Sequence, residues 1–502
     1  MLVATGESAV AEAGELRMGT AAGRWMIATT VLGAGLVMID GTVVNVALER
    51  IGADLDAGFT GLQWTVNAYT LTLAALILLG GSLGDRLGRR RMYLIGAVWF
   101  ALASLICGLA PNVGTLVAAR ALQGVGGALL VPGSLALISA SFRGSDRAAA
   151  IGTWSGLGGI AGAVGPFLGG WLVEWSWRAV FLINLPLAAL IVAMGLRYVP
   201  ESRDAESAPG LDVAGAALAA LGLGLLTWSL TRLGERGPET GLLVGLAVGV
   251  AALVAFALVE RRSRHPLAPP SLFANATFSA VNVLTLLIYG ALGMVFLLLV
   301  LQLQTVAGFS PLAAGTALLP VTLIMLAFSA RVGALAGRIG PRLPLSLGPL
   351  ISASGLLLLL RVDETTSWLT DVLPAMLVFG AGLTLTVAPL TATVLGTAPD
   401  RYAGSASGVN NAIARAAGLL AVAVVPGLAG ISGADYTDPL VFDTGFRTAM
   451  AIGAGLLVTA AVLAFVVVRR PLEPPEPERV RIEECPHCGV MTPQLHPADA
   501  PH

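Results

Sequence analysis

Gly81-Ser-Leu-Gly-Asp85-Arg86-Leu-Gly88-Arg89-Arg90-Arg91 is a short charged break between two apolar runs, 62–82 and 92–110. Each run has the length, about 20 residues, that an α-helix needs to cross a bilayer. A degenerate echo of this break, Gly333-Ala-Leu-Ala-Gly337-Arg338-Ile-Gly340-Pro341-Arg342, follows the run 311–335. With these two breaks as marks, apolar windows give fourteen predicted spans: 26–48, 62–82, 92–110, 113–139, 149–172, 179–198, 212–231, 240–259, 277–301, 311–335, 344–361, 370–396, 404–429 and 446–468. The seventh and eighth are rich in Ala, Gly and Leu and almost free of polar residues, and they read as peripheral spans facing lipid. Without them six spans precede and six follow, and the echo falls at the same place in each set. The expected fold is an all-α integral membrane protein: two related six-helix halves around a central cavity plus two extra central spans, 14 transmembrane helices in all. The chain then divides into a tail 1–25, a first half 26–198, a region 199–276 holding the extra spans, a second half 277–468 and a tail 469–502.

Composition excludes water as the main solvent. Of 502 residues, 56% are hydrophobic and 12% charged, with a mean hydropathy of +0.83, whereas a soluble domain carries about 25% charged residues. A soluble enzyme is thereby excluded, and a net charge of −1 implies no nucleic-acid partner. All 29 Lys and Arg positions are arginine; with 62 glycines, this bias looks like the codon usage of a GC-rich bacterial genome. With the N-terminus placed in the cytoplasm, 21 arginines fall on the cytoplasmic side and six outside, Arg120 and Arg415 lying within spans. That excess supports both termini inside and an even number of spans, as in a multi-pass protein of the cell (inner or plasma) membrane. The first apolar run follows the acidic stretch Glu7, Glu12 and Glu15 and has no small-residue cleavage site, so it reads as a retained span.

Three cysteines, Cys107 in an apolar run and Cys485 and Cys488 near the C-terminus, exclude a disulfide framework. Cys485, Cys488, His496 and His502 offer ligands that suit zinc. A single C-x-x-C in a segment rich in Pro and Glu falls short of a complete site, so no metal or other cofactor is expected.

Charge inside the spans is rare and so carries information. Asp40 is the one carboxylate placed deep in a span, and such a residue is a functional candidate by default. Desolvation favours the neutral form of a carboxyl and a nearby arginine the charged form, so a motion that alters either can load and release a proton. Arg120, Gln123, Gly124 and Gly127 recur at i, i+3, i+4 and i+7 and share one helix face. An arginine in hydrocarbon costs roughly 2.5–3.5 kcal/mol on insertion scales, so Arg120 is expected to face the cavity and to have a partner. Arg415 lies near mid-span on a stripe with Gly404, Gly408, Asn411 and Gly418, as a second partner for Asp40 or as part of the substrate path. Asn45, Trp64, Asn67, Tyr69, Gln123, Tyr289 and Asn411 are the cavity candidates, although aromatics near span ends also serve as interface anchors.

Four motifs in order give the chain, over roughly residues 25–470, a resemblance to the major facilitator superfamily, and within it to the fourteen-span drug:proton antiporters of the EmrB/QacA type. Ile39-Asp40-Gly41-Thr42-Val43-Val44-Asn45-Val46-Ala47-Leu48 is similar to the family's first-span motif, with Glu49 where proline is usual, which leaves the helix end open. The stretch with Gly81, Asp85, Arg86, Gly88, Arg89 and Arg90 resembles its gating loop; read by itself it is also a solvated basic loop. Leu116-Val-Ala-Ala-Arg120-Ala-Leu-Gln123-Gly124 resembles the fourth-span motif, and Gly162, Gly165, Pro166, Gly169 and Gly170 the antiporter signature of the fifth. The last would form a smooth stripe for close helix packing, loosened at the proline. The resemblance implies the major facilitator fold and a proton-coupled exporter of small amphiphilic molecules such as drugs or antibiotics. Asp40 would carry the proton, with Arg120 and Arg415 in coupling, and the partners would be a small-molecule substrate, protons and membrane lipids. Two rivals differ in class. An uptake symporter of the same fold is disfavoured by the fifth-span signature and the extra spans, and a non-transporting scaffold or sensor with a zinc-binding tail has no use for the burial of Asp40 and Arg120.

Overall fold

The computed structural model describes residues 16–203, 212–263, 266–398, 402–433 and 435–468, and among them there is no β-strand. The long helices are α1 (Ala21–Leu55), α2 (Phe59–Leu87), α3 (Arg89–Gly108), α4 (Val113–Ser141), α5 (Gly144–Trp175), α6 (Ala179–Tyr198), α7 (Val213–Arg236), α8 (Thr240–Arg262), α9 (Ala276–Thr305), α10 (Pro311–Ile339), α11 (Arg342–Arg361), α12 (Trp368–Gly396), α13 (Ala403–Leu428) and α14 (Pro439–Val467). Among the described residues, thirteen helices are long and apolar enough to cross a membrane; α5, 32 residues long, stands at the place of the fifth predicted span. The tail bearing Cys485, Cys488, His496 and His502 lies outside the described residues.

Several helices outrun their apolar windows because hydropathy measures the bilayer, while caps and turns set where the backbone stops. α1 continues past Glu49, where the sequence left its end open, and stops at Asp56, a non-glycine residue in the left-handed region (φ 49°). α14 begins at Pro439 instead of 446: the Asp438 side chain accepts from the N–H groups of Leu440 and Val441, and Asp443 pairs with Arg447 at 2.8 Å one turn later. Arg331 lies inside α10, its guanidinium donating to Ala327 O one turn back.

The two halves repeat one pattern of neighbours, α1–α6 in the first and α9–α14 in the second. Thus α2 packs on α4 as α10 does on α12, α3 on α4 as α11 on α12, and α1 on α5 as α9 on α13. Small residues permit this closeness: a Cβ on Gly126 would sit 2.8 Å from Phe100 N, and one on Gly355 2.6 Å from Phe379 N. The marker loops repeat too. Gly88 (φ 113°) and Gly340 (φ 84°) both take left-handed turns between paired helices. Arg90 then donates to Val199 O beyond α6, and Arg342 to Phe465 O near the end of α14.

Between the halves, α2 meets α13, α5 meets the start of α10, and α1 meets α9. The extra pair is divided in its role: α8 packs on α7, whereas α7 lies against both α2 and α13 and so spans the seam. Only α8 has the outlying position expected of both.

Candidate functional site

Two polar groupings stand out at depth in the helices. The first is enclosed in the first half. Asp40 on α1 is 0% exposed and Arg120 on α4 1% exposed, and the Arg120 guanidinium is ion-paired with the Asp40 carboxylate. The other carboxylate oxygen accepts from Gln123 Nε2 and Asn184 Nδ2, both at 2.8 Å. Arg120 also donates to Gln123 Oε1 at 2.6 Å and to Thr65 O at 3.0 Å, and its guanidinium carbon lies 4.3 Å from the centroid of the Tyr69 ring. Ser104 Oγ accepts from Gln123 at 2.8 Å and Asn184 at 3.3 Å. Side chains from α1, α2, α3, α4 and α6 thus converge on one pair, so neither charge is left unpaired at depth.

Local sequence explains each placement. Arg120 and Gln123 are three residues apart on one face of α4, and Gly124 lets that face approach α2 so closely that a Cβ there would come 3.1 Å from Leu73 N. Asn184 sits where α6 is irregular. Pro186 lacks an N–H and crowds the carbonyl four residues back, and the regular helix breaks at Ile183. Gln123 and Tyr69, expected in the cavity, belong instead to this enclosed cluster, with the Tyr69 hydroxyl donating to Val37 O at 3.0 Å. Arg120 likewise does not face a cavity; its partners fill its surroundings.

The second grouping lies on the seam. Four hydrogen bonds join the halves at the end that carries Asp56: Phe59 N to Gly433 O at 2.9 Å, Gln63 Nε2 to Val422 O at 2.7 Å, Gln304 Nε2 to Val46 O at 3.2 Å and Tyr436 Oη to Ala57 O at 3.0 Å. Just inside them, Asn67 is buried with both amide atoms lacking a protein partner, and the side-chain oxygens of Asn45 and Gln304 lack one as well. Arg415 is half-buried on α13 and makes no hydrogen bond or ion pair with a described residue, so the structure does not join it to Asp40. Its charge acts on both Tyr69 and the half-buried Tyr289. Asn411, one turn along α13, is exposed, and Trp64 is half-buried.

α5 joins the two groupings. A Cβ on Gly165 would lie 3.3 Å from Ile39 O, and one on Gly169 2.7 Å from Val43 Cγ2, so these glycines seat α5 against the turns of α1 that flank Asp40. Gly162 contributes a carbonyl that accepts from Thr42 Oγ1 at 3.4 Å. Gly170 and Pro166 face the other way: a Cβ on Gly170 would meet Leu312 Cα at 2.6 Å, and Gly315 rides on the Pro166 peptide. The predicted stripe is therefore two-sided, one row on α1 and one on the second half.

At the Gly88 loop, Asp85 pairs with Arg89 at 2.7 Å, while Glu201, which the sequence did not single out, accepts from the N–H groups of Arg90 and Arg91 at 3.1 Å. A carboxylate at the start of α3 is favoured by the helix dipole. Arg86 is half-buried there, and Gly81 lies against Pro132 of α4. An apolar groove of about 690 Å³ between α10 and α12, lined by Leu323, Phe328, Trp368 and Leu377 among others, is apart from both groupings and offers almost no polar contact.

Residues 30–422 match the family model described as Major Facilitator Superfamily. The chain belongs to this superfamily. It is similar to the puromycin resistance protein pur8 of Streptomyces alboniger, 37% identical over 467 residues that cover 89% of this chain and 91% of that one. It is also similar to the cephamycin export protein CmcT of Amycolatopsis lactamdurans, 37% identical over 398 residues covering 78% and 82%. Among solved structures, a bacterial homolog of the human lysosomal transporter Spinster, inward-facing and unoccupied, superposes with a TM-score of 0.65 at 17% identity, covering 89% of this chain and 97% of that one. As a major facilitator protein the chain is a multi-pass membrane protein, of a family that moves small molecules across membranes. In the major facilitator frame, the Asp40 cluster is internal to one half and the Asn67–Arg415 region lies where the halves meet.

Proposed function

We propose that the protein is a fourteen-span, proton-coupled exporter of small amphiphilic molecules, with both termini in the cytoplasm. The observation that carries this reading is the buried Asp40–Arg120 pair, tied through Gly165 and Gly169 of α5 to the seam on which the halves would rock. With the Asp56 end outside, the conformation is closed outward by the four seam bonds. Asp40 accepts two hydrogen bonds on one oxygen and faces the Arg120 guanidinium with the other, so its proton uptake is opposed until the pair loosens, and a shift of α5 against α1 is the motion placed to loosen it. Opening outward would break the seam bonds and move α10 against Pro166 and Gly170; the same α5 displacement would disturb Asp40. One proton moving down about 100 mV supplies about 2.3 kcal/mol, enough for roughly fiftyfold accumulation of a neutral substrate. Resistance and export in the names of the relatives support outward direction.

Asp40→Asn keeps shape and polarity but removes the titratable group. In reconstituted vesicles it should abolish gradient-driven accumulation and coupled proton uptake, while downhill exchange survives. Full gradient-driven transport by this variant would remove Asp40 from the proton path.

A further inference from the structure

Polar side chains buried away from water nearly always have partners, and a buried amide without one marks a place where a ligand or water is to be held. Asn67 is such a residue, 1% exposed with neither Nδ2 nor Oδ1 bonded to protein. Two contacts fix its place. Gln63 bonds Val422 O on the Asp56 side, and a Cβ on Gly408 would meet Leu78 Cδ2 at 2.8 Å on the other. Because α2 and α13 run antiparallel between these contacts, Asn67 falls at the level of Gly418, with Arg415 about one turn further from the Asp56 end. Gly418 in turn packs on α9 beside Tyr289, 3.8 Å from its carbonyl oxygen to an added Cβ. Three helices therefore bring the unpartnered Asn67 amide, Tyr289, on which the Arg415 charge acts, and the Arg415 guanidinium, which has no partner among the described residues, to within about one turn of one another along the seam.

The charge balance there is one-sided. Asp40 is the one carboxylate at mid-helix depth on α1, α2, α9 or α13, and Arg120, Gln123 and Asn184 already occupy it. Arg415 thus faces the seam without a counter-charge, and a guanidinium in such surroundings recruits anionic oxygen in fork geometry. Resting on the export reading above, we infer that the Asn67–Tyr289–Arg415 level of the seam binds the exported molecule through an anionic oxygen, a carboxylate or enolate. A lipophilic cation meets repulsion at the same place. Arg415 is on this assignment a substrate-binding residue and not a member of the Asp40 pair.

The test measures binding by anisotropy in nanodiscs, with two xanthene dyes of similar ring size, anionic carboxyfluorescein and cationic tetramethylrhodamine ethyl ester. Wild type should bind the anion at least tenfold tighter than the cation. Arg415→Gln should lose at least tenfold for the anion, and Arg415→Glu should reverse the order. Should Arg415 variants fail to fold, Asn67→Asp sets a negative charge at the same level and should weaken the anion tenfold while sparing the cation. Equal or tighter binding of the cation by wild type, no saturable binding of the anion, or an order unmoved by Arg415→Glu overturns the assignment. Failure of efflux for both dyes with the binding order intact would overturn the export reading and leave this site standing.

Discussion

Removing one member of the Asp40–Arg120 pair leaves the other charged and enclosed, a change that costs about 3–5 kcal/mol. Arg120→Met should therefore lower the melting temperature in detergent markedly, and Asp40→Leu added to Arg120→Met should restore most of it without restoring transport. An unchanged melting curve for the single variant would mean that solvent reaches the pair. Asp40, Arg120 and Gln123 were legible in the sequence because charge and amide stand out in apolar runs. Asn184 and Ser104 were not, since uncharged polar residues are frequent in these helices and most, like Thr29 and Thr30, bond only their own backbone. Periodicity cannot say which of them turns toward a neighbour's carboxylate.

At the scale of the element, α5 is where the sequence pattern and the packing agree most closely and where they part. Its small-residue stripe was plain, but that the stripe is split between α1 and α10 depends on the tertiary arrangement. Gly169→Ala should cost about 1–3 kcal/mol through overpacking on Val43, whereas Gly158, with nothing within 4 Å of an added Cβ, should accept alanine with little change. Equal melting temperatures for the two variants would contradict the close seating of α5. In the Gly88 loop, Glu201→Gln removes the charge at the start of α3 and should slow turnover more than Arg86→Ala, whose side chain has no comparable contact; the reverse ranking in vesicle flux assays would return that loop to a solvated basic turn. Thirteen apolar helices follow in the order that hydropathy predicts; helix ends such as Asp56 and Asp438 do not, because capping sets them.

For the whole molecule, the balance between conformations rests on few contacts. Net hydrogen bonds contribute about 1 kcal/mol each, so Gln63→Ala with Tyr436→Phe should shift the seam toward opening by about 2 kcal/mol, roughly thirtyfold. With Asn67→Cys as reporter, labelling by an impermeant maleimide from outside should accelerate accordingly, and an unchanged rate would show that these bonds do not hold the seam. Neither that seam nor the bridging position of α7 could be read from the sequence, where α7 and α8 look alike. The unserved amide of Asn67 and the unserved side-chain oxygens of Asn45 and Gln304 give the seam one more property. Parting the halves exposes groups that bind solvent strongly, so each outward excursion takes up a fixed number of water molecules. Turnover should then follow water activity, and an excluded osmolyte added outside the vesicles should slow the cycle even when its driving gradient is clamped.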